Sequence, residues 1–142
     1  MGGDLEKALN NDPGKGLSPR QWHQRYQQQA RWTANIRAYL IKQASLDTND
    51  RVLEVGVGTG AILDVLTKEQ PIKPFGLDID RSSLEYAASL NQSFRLVQGD
   101  GNWLPYADHS FQMAYCHYLL LWVKNPVRIL QEMQRVTQPR GY

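Results

Sequence analysis

An α/β fold built on a parallel sheet is the architecture this sequence predicts, and three observations predict it. Residues Arg51 to Gly60 form an apolar run that ends in glycine at every second position, at Gly56, Gly58 and Gly60. Such a run reads as a buried strand that stops in a tight turn and passes into a helix, because glycine alone tolerates the dihedrals and leaves the approach free of side chains. Downstream, short apolar runs alternate with stretches of helical periodicity. That rhythm means βαβ units, and βαβ units mean parallel strands joined by right-handed crossovers. Turn clusters such as Leu46-Asp47-Thr48-Asn49-Asp50 punctuate the pattern.

Each element follows in order. Residues 1–17 are rich in Gly, Asn and Asp with few large apolar side chains, and a flexible tail is expected there. A helical segment over 18–45 opens at Ser18-Pro19-Arg20-Gln21, where Ser18 caps, Pro19 suits the first helical position and Gln21 completes a capping box. Trp22, Tyr26, Ala30, Thr33, Ile36 and Leu40 then recur at three- and four-residue spacing, as one helix or as two broken near Trp32. Its glutamines form a solvated face. After the glycines, Ile62, Leu63, Val65 and Leu66 give a short helix its buried face. A second strand is expected at Phe75–Ile79, a helix with a Ser82–Glu85 capping box after it, and a third strand at Phe94–Val97. A fourth strand spans about Phe111 to Cys116. Asn125-Pro126 then caps a last helix that buries Ile129, Leu130, Met133 and Val136.

Bulk properties exclude several classes of protein. A chain of 142 residues with 42% hydrophobic and 21% charged residues is one soluble domain with room for a core. The net charge is +2 with no run of like charges, so no nucleic-acid partner is expected. The single cysteine, Cys116, excludes an intrachain disulfide and a cysteine metal site. No membrane-spanning stretch and no signal-peptide layout is present, and a cytoplasmic protein is expected.

The chemistry sits at the glycines. Gly56, Gly58 and Ala61 nominally satisfy a dinucleotide fingerprint. Glu54 argues against it, because an anion two residues before the first glycine does nothing for a pyrophosphate. Gly60 extends the alternate-glycine pattern, and a further carboxylate, Asp100, follows the third strand. A ligand with a positive centre and an adenosine accounts for all three.

This set resembles the class I S-adenosylmethionine-dependent methyltransferases of the small-molecule type, over roughly residues 20–142. Four segments carry the resemblance: Val52 to Gly60; Gly76-Leu77-Asp78-Ile79-Asp80; Gly99-Asp100 with Leu104-Pro105; and Arg135 to Gly141. It implies a Rossmann-like three-layer α/β/α sandwich over 46–142, strand order 3-2-1-4, and a helical lid over 18–45. It also implies S-adenosyl-L-methionine as cofactor and a small-molecule methyl acceptor. By the same resemblance Glu54 and the backbone of Gly56, Gly58 and Gly60 hold the methionine part, and Asp78 accepts both ribose hydroxyls. Ile79 lies against adenine, Asp100 with Gly101 or Asn102 reads the adenine edge, and Cys116 and His117 face the reaction centre, with His117 as candidate general base. Trp22, Tyr26 and Trp32 are lid candidates, and Arg25 or Arg31 a partner for the methionine carboxylate.

Two departures matter. The fourth strand opens Phe111-Gln112 where the family has Phe-Asp, which is expected to alter local hydrogen bonding. The sequence also stops where a fifth strand is expected, so strands 5–7 are absent and the fourth strand is expected to present a bare edge open to self-association. Two competing functions stand beside the enzyme: a non-catalytic S-adenosylmethionine-binding fragment, and an NAD-dependent oxidoreductase using the dinucleotide pattern.

Overall fold

The structure is a computed structural model that describes residues 16–142. Most of the expected tail, residues 1–15, therefore lies outside the described residues. Among the described residues two helices come first, α1 (Pro19–Trp32) and α2 (Ala34–Ala44). Ser18 caps α1 reciprocally with Gln21 and Pro19 occupies the first turn, so two otherwise orphaned donors are satisfied as the sequence predicts. Thr33 separates the helices, its own amide bonding back to Arg31, which resolves the predicted break near Trp32.

The remaining order is β1 (Arg51–Val55), α3 (Ala61–Glu69), β2 (Lys73–Asp78), α4 (Arg81–Leu90), β3 (Arg95–Gln98), β4 (Met113–Tyr115), a short 3-10 turn (Leu119–Leu121) and α5 (Pro126–Val136). The four strands form one parallel sheet in the order β3-β2-β1-β4. Central β1 is buried on both faces, as its continuous apolar run requires. Leu53, Val55 and Leu77 face α5 and pack with Phe111, Ile129, Met133 and Val136. Val52 on the opposite face meets Ile41 of α2, Leu66 of α3 and Met113. Val57, Leu63, Leu84, Ala87 and Phe94 form a third cluster around α3 and α4. Helices thus cover both faces of the sheet, giving the three-layer Rossmann-like sandwich.

Several boundaries differ from the sequence reading. The cap of α4 is Asp80, not Ser82: its carboxylate accepts from the Ser82 and Ser83 amides at 3.2 and 3.1 Å and from both serine hydroxyls. An ionised acceptor binds amides more strongly than a hydroxyl does, and the carboxylate also complements the helix dipole. Those bonds hold the Asp80 carboxyl below the usual range. Strand β4 is shorter than the expected Phe111–Cys116, because Phe111 bridges Thr137 instead of a sheet neighbour.

The edge of β4 is not bare. Tyr142 donates its amide to Gln112 O at 2.9 Å and accepts from Ala114 N at 2.8 Å, the pattern of a parallel partner. Gln138 N likewise bonds Phe111 O. Residues 137–142 therefore occupy the edge at which self-association was expected. The Gln112 side chain accepts from Arg51 N at 3.0 Å and donates to Gln138 Oε1 at 3.2 Å. Arg135, from the last of the four segments, acts as a structural fastener. Its guanidinium donates to Leu104 O, Tyr106 O, Asp108 and Glu132, which ties the loop after β3 to α5.

Candidate functional site

Sequence and topology converge at the carboxyl ends of β1 and β2. The chain leaves β1 through Gly56, Gly58 and Gly60, all with positive φ (74°, 52° and 79°). Gly60 is the N-cap of α3, where a Cβ would stand 2.9 Å from the Phe94 ring and 3.2 Å from Ala87. Any side chain there is excluded by packing as well as by backbone conformation. Gly58 serves the site itself. Its amide donates to Asp78 Oδ2 at 2.7 Å, and the Tyr26 ring of α1 lies across it, 3.4 Å from where a Cβ would be.

The glycine turn forms the floor of a crevice of about 530 Å³, a size suited to a cofactor or drug-sized ligand. Tyr26 and Trp22, stacked with centroids 5.5 Å apart, wall one side together with Trp32. Tyr118, Leu119, Leu121 and Trp122 wall the other. The acidic side chains lining the crevice are Glu54 and Asp78, and among the described residues no Lys or Arg lines it. Acidic groups without a lining cation favour a cationic ligand and disfavour a pyrophosphate.

Asp78 ends β2 half-buried. Its Oδ2 accepts from Gly58 N and its Oδ1 from Asp80 N at 2.9 Å, so each oxygen keeps a lone pair for a ligand. Glu54 is 2% exposed. Burial first, and the Asp78 charge with it, raise its carboxyl to about 8 against the Tyr115 hydroxyl, the Leu63 amide and the Arg37 charge, which act in the opposite direction. Burial is the largest influence and outweighs the Tyr115 hydrogen bond, the strongest of those opposing it, while Arg37 contributes least.

Of the residues singled out from the sequence, Glu54, Gly56, Gly58, Asp78 and His117 line this crevice together. Gly60 sits beneath it in the core, and Cys116 packs partly against the α5-face cluster. Ile79 stands 70% exposed just past β2. Asp100 forms its own turn by accepting from the Asn102 amide and side chain at 2.8 and 2.7 Å, and Gly101 packs on Val55 and Ile129. The bond from Gly99 N to Asp78 O brings this turn beside the end of β2, but Asp100, Gly101 and Asn102 lie outside the crevice lining.

Two contacts were not readable from sequence. His23 Nδ1 and Thr59 Oγ1 stand 2.9 Å apart, both side chains buried, and latch α1 to the glycine turn. Thr33, just past α1, stands 2.9 Å from His117 Nε2 and ties the same helix to the loop after β4. Burial, more than any charge, lowers both imidazoles below the usual histidine range; Asp64 and the Thr59 backbone oppose this at His23 and Lys68 adds to it, while Arg37 adds to it at His117. A histidine with a lowered pKa contributes stability that is complete above about 6.5 and is lost as pH falls below it. Replacing His23 by alanine leaves the Thr59 hydroxyl buried without its partner, at a cost of about 1–3 kcal/mol. Melting temperatures at neutral and mildly acid pH measure this. The variant should start lower and lose less on acidification.

A parallel α/β sandwich whose first strand runs into a glycine turn, with a carboxylate at the ends of β1 and β2, belongs to the Rossmann-like nucleotide-cofactor class. Residues 53–142 match the methyltransferase domain family, and the chain belongs to that family. It is 31% identical over 118 residues to an uncharacterized methyltransferase of Schizosaccharomyces pombe, covering 73% of this chain and 41% of that one. It is 30% identical over 114 residues to the demethylmenaquinone methyltransferase of Renibacterium salmoninarum, covering 77% and 46%. Among solved structures, the YcgJ protein of Bacillus subtilis superposes with a TM-score of 0.66 at 26% identity, over 73% of this chain and 46% of that one. The chain thus spans less than half the length of the curated relatives it matches. Among the described residues no helix is long and apolar enough to cross a membrane, and no cluster of His, Cys, Asp and Glu is arranged to hold a metal ion.

Proposed function

We propose that this chain is the cofactor-binding part of an S-adenosylmethionine-dependent methyltransferase acting in the cytoplasm on a small-molecule acceptor. The observation that carries the proposal is the make-up of the crevice: two carboxyl side chains, no Lys or Arg among the described lining residues, and a glycine turn under an aromatic wall. Glu54 and the turn amides hold the cationic methionine end, and Asp78 takes the ribose diol through its remaining lone pairs. From there the adenine leaves the crevice across exposed Ile79 toward the Asp100–Asn102 turn, and Cys116, just past β4, is the neighbour of His117 on the reaction side.

When bound, S-adenosylmethionine supplies a methyl group activated on a cationic sulfur. The protein's share is alignment and exclusion of water by Tyr26, Trp22 and Leu119, which is where most of the rate of such a displacement arises. His117 holds Nε2 against Thr33, so Nδ1 is the ring nitrogen left to take a proton from an acceptor that begins protonated. Its lowered pKa keeps it neutral, as a base must be.

Titration calorimetry against S-adenosylmethionine, S-adenosylhomocysteine and NADH, followed by a labelled-methyl transfer assay, tests this reading. The two adenosyl-sulfur ligands should bind and NADH should not. NADH binding without either of them would favour the oxidoreductase, and binding without methyl transfer to any acceptor the non-catalytic fragment.

A further inference from the structure

Glu54 is the most heavily buried acid of the crevice, and one hydroxyl fixes it. The parallel register of β1 and β4 sets Tyr115 directly opposite Glu54. Across that step the Tyr115 hydroxyl donates to Glu54 Oε2 at 3.0 Å. Paired residues of parallel strands project to the same face, so the contact follows from the backbone and does not depend on a mobile side chain.

We propose that Tyr115 is a positioning residue for cofactor capture: its hydroxyl, carried on β4, presets the Glu54 carboxyl so that a cation arriving in the crevice meets an oriented acid and displaces its proton. This rests on the methyltransferase reading above and adds to it a residue and a proton. The step is a simple exchange. The Glu54 O–H bond breaks, the proton passes to solvent buffer, and the carboxylate remains as counter-ion of the ligand; nothing is oxidised or reduced.

The surroundings support it. Glu54 faces Asp78 from β2, the Leu63 amide of α3, Arg37 from α2, and Tyr115 and the Cys116 thiol from the β4 side. Burial and Asp78 favour the neutral carboxyl, and the Arg37 charge is too weak an influence to reverse them, which leaves the acid largely protonated at neutral pH. Tyr115 is held far above the usual phenol range, first by burial and then by Glu54, so it remains a donor throughout. A permanent donor stabilises the ionised carboxylate more than the neutral acid, and the incoming cation supplies the countercharge that the crevice lacks.

The test is calorimetry of S-adenosylmethionine binding to the full chain in two buffers of different ionisation enthalpy, from pH 6 to 9, on wild type, Tyr115→Phe and Glu54→Gln. Wild type should release close to one proton at pH 7, with affinity rising up to about tenfold per pH unit below the midpoint and levelling above it. Glu54→Gln should release no such proton, and it retains the ligand's own amine titration as a control. Tyr115→Phe should bind about ten- to a hundredfold more weakly at neutral pH, with its midpoint moved upward. If Tyr115→Phe does not fold, 3-fluorotyrosine at position 115 keeps the shape and strengthens the donor, and the midpoint must then move downward. Binding with an unmoved midpoint in the variant, or no proton released by wild type, overturns the Tyr115 proposal alone. Failure of wild type to bind either S-adenosylmethionine or S-adenosylhomocysteine overturns the cofactor reading and this proposal with it.

Discussion

Glutamine in place of Glu54 raises the melting temperature of the ligand-free protein at neutral and alkaline pH while removing most of its affinity for S-adenosylmethionine. The sign follows from the carboxyl's position at about 8, against an ordinary value of 4.5. A raised acid pKa means that the folded chain binds the proton more tightly than the unfolded chain does. The protonated form is therefore stable, and stability declines as pH climbs from 4.5 through 8. By pH 7 the loss amounts to about 3 kcal/mol, or roughly 10 °C in a domain of this size. An amide has the shape of the protonated carboxyl and no charge to desolvate, and Tyr115 still has an oxygen to donate to. Melting curves of wild type and Glu54→Gln should coincide near pH 4.5 and diverge upward. Parallel curves would show that the carboxyl ionises without penalty. A protein that keeps a destabilising acid in its core keeps it for a ligand, since a neutral residue would make the apo fold more stable.

Truncation of Asp78 to alanine produces the larger loss of binding. Two charge-assisted bonds from a ribose diol are worth about 1.5–3 kcal/mol each, so at least a hundredfold of affinity should disappear. A second effect accompanies it, because Gly58 N and Asp80 N both lose their acceptor and the glycine turn loses its tie to β2. The two effects separate through ligand chemistry. An S-adenosylhomocysteine analogue lacking the 2′-hydroxyl should bind wild type more weakly than the parent ligand does, and should bind Asp78→Ala no more weakly than the parent. Equal discrimination in both proteins would place the diol elsewhere.

How much was legible in the sequence depends on how far apart the partners lie. Ser18-Pro19-Gln21, Asn125-Pro126 and the glycine turn act within a few residues, and each forms the element its spacing encodes. Asp80 and Ser82 compete locally for one helix start, and the competition is settled by charge, which a pattern of residue types alone does not rank. Tyr115 and Glu54 lie 61 positions apart, and His23 and Thr59 lie 36 apart. Their meeting depends on sheet register and on where α1 docks, and neither is written in periodicity. The coverage of the β4 edge by Tyr142 was hidden for the same reason, since hydrogen bonding there runs through backbone groups that every residue shares.

The crevice also carries its own optical reporter. The chain has four tryptophans, and Trp22, Trp32 and Trp122 all line the crevice. Trp103 alone stands apart from it, covered by the Arg128 guanidinium at 4.4 Å. Intrinsic emission from this protein is therefore weighted toward the crevice, and a ligand entering among those indoles should change quantum yield without any label attached.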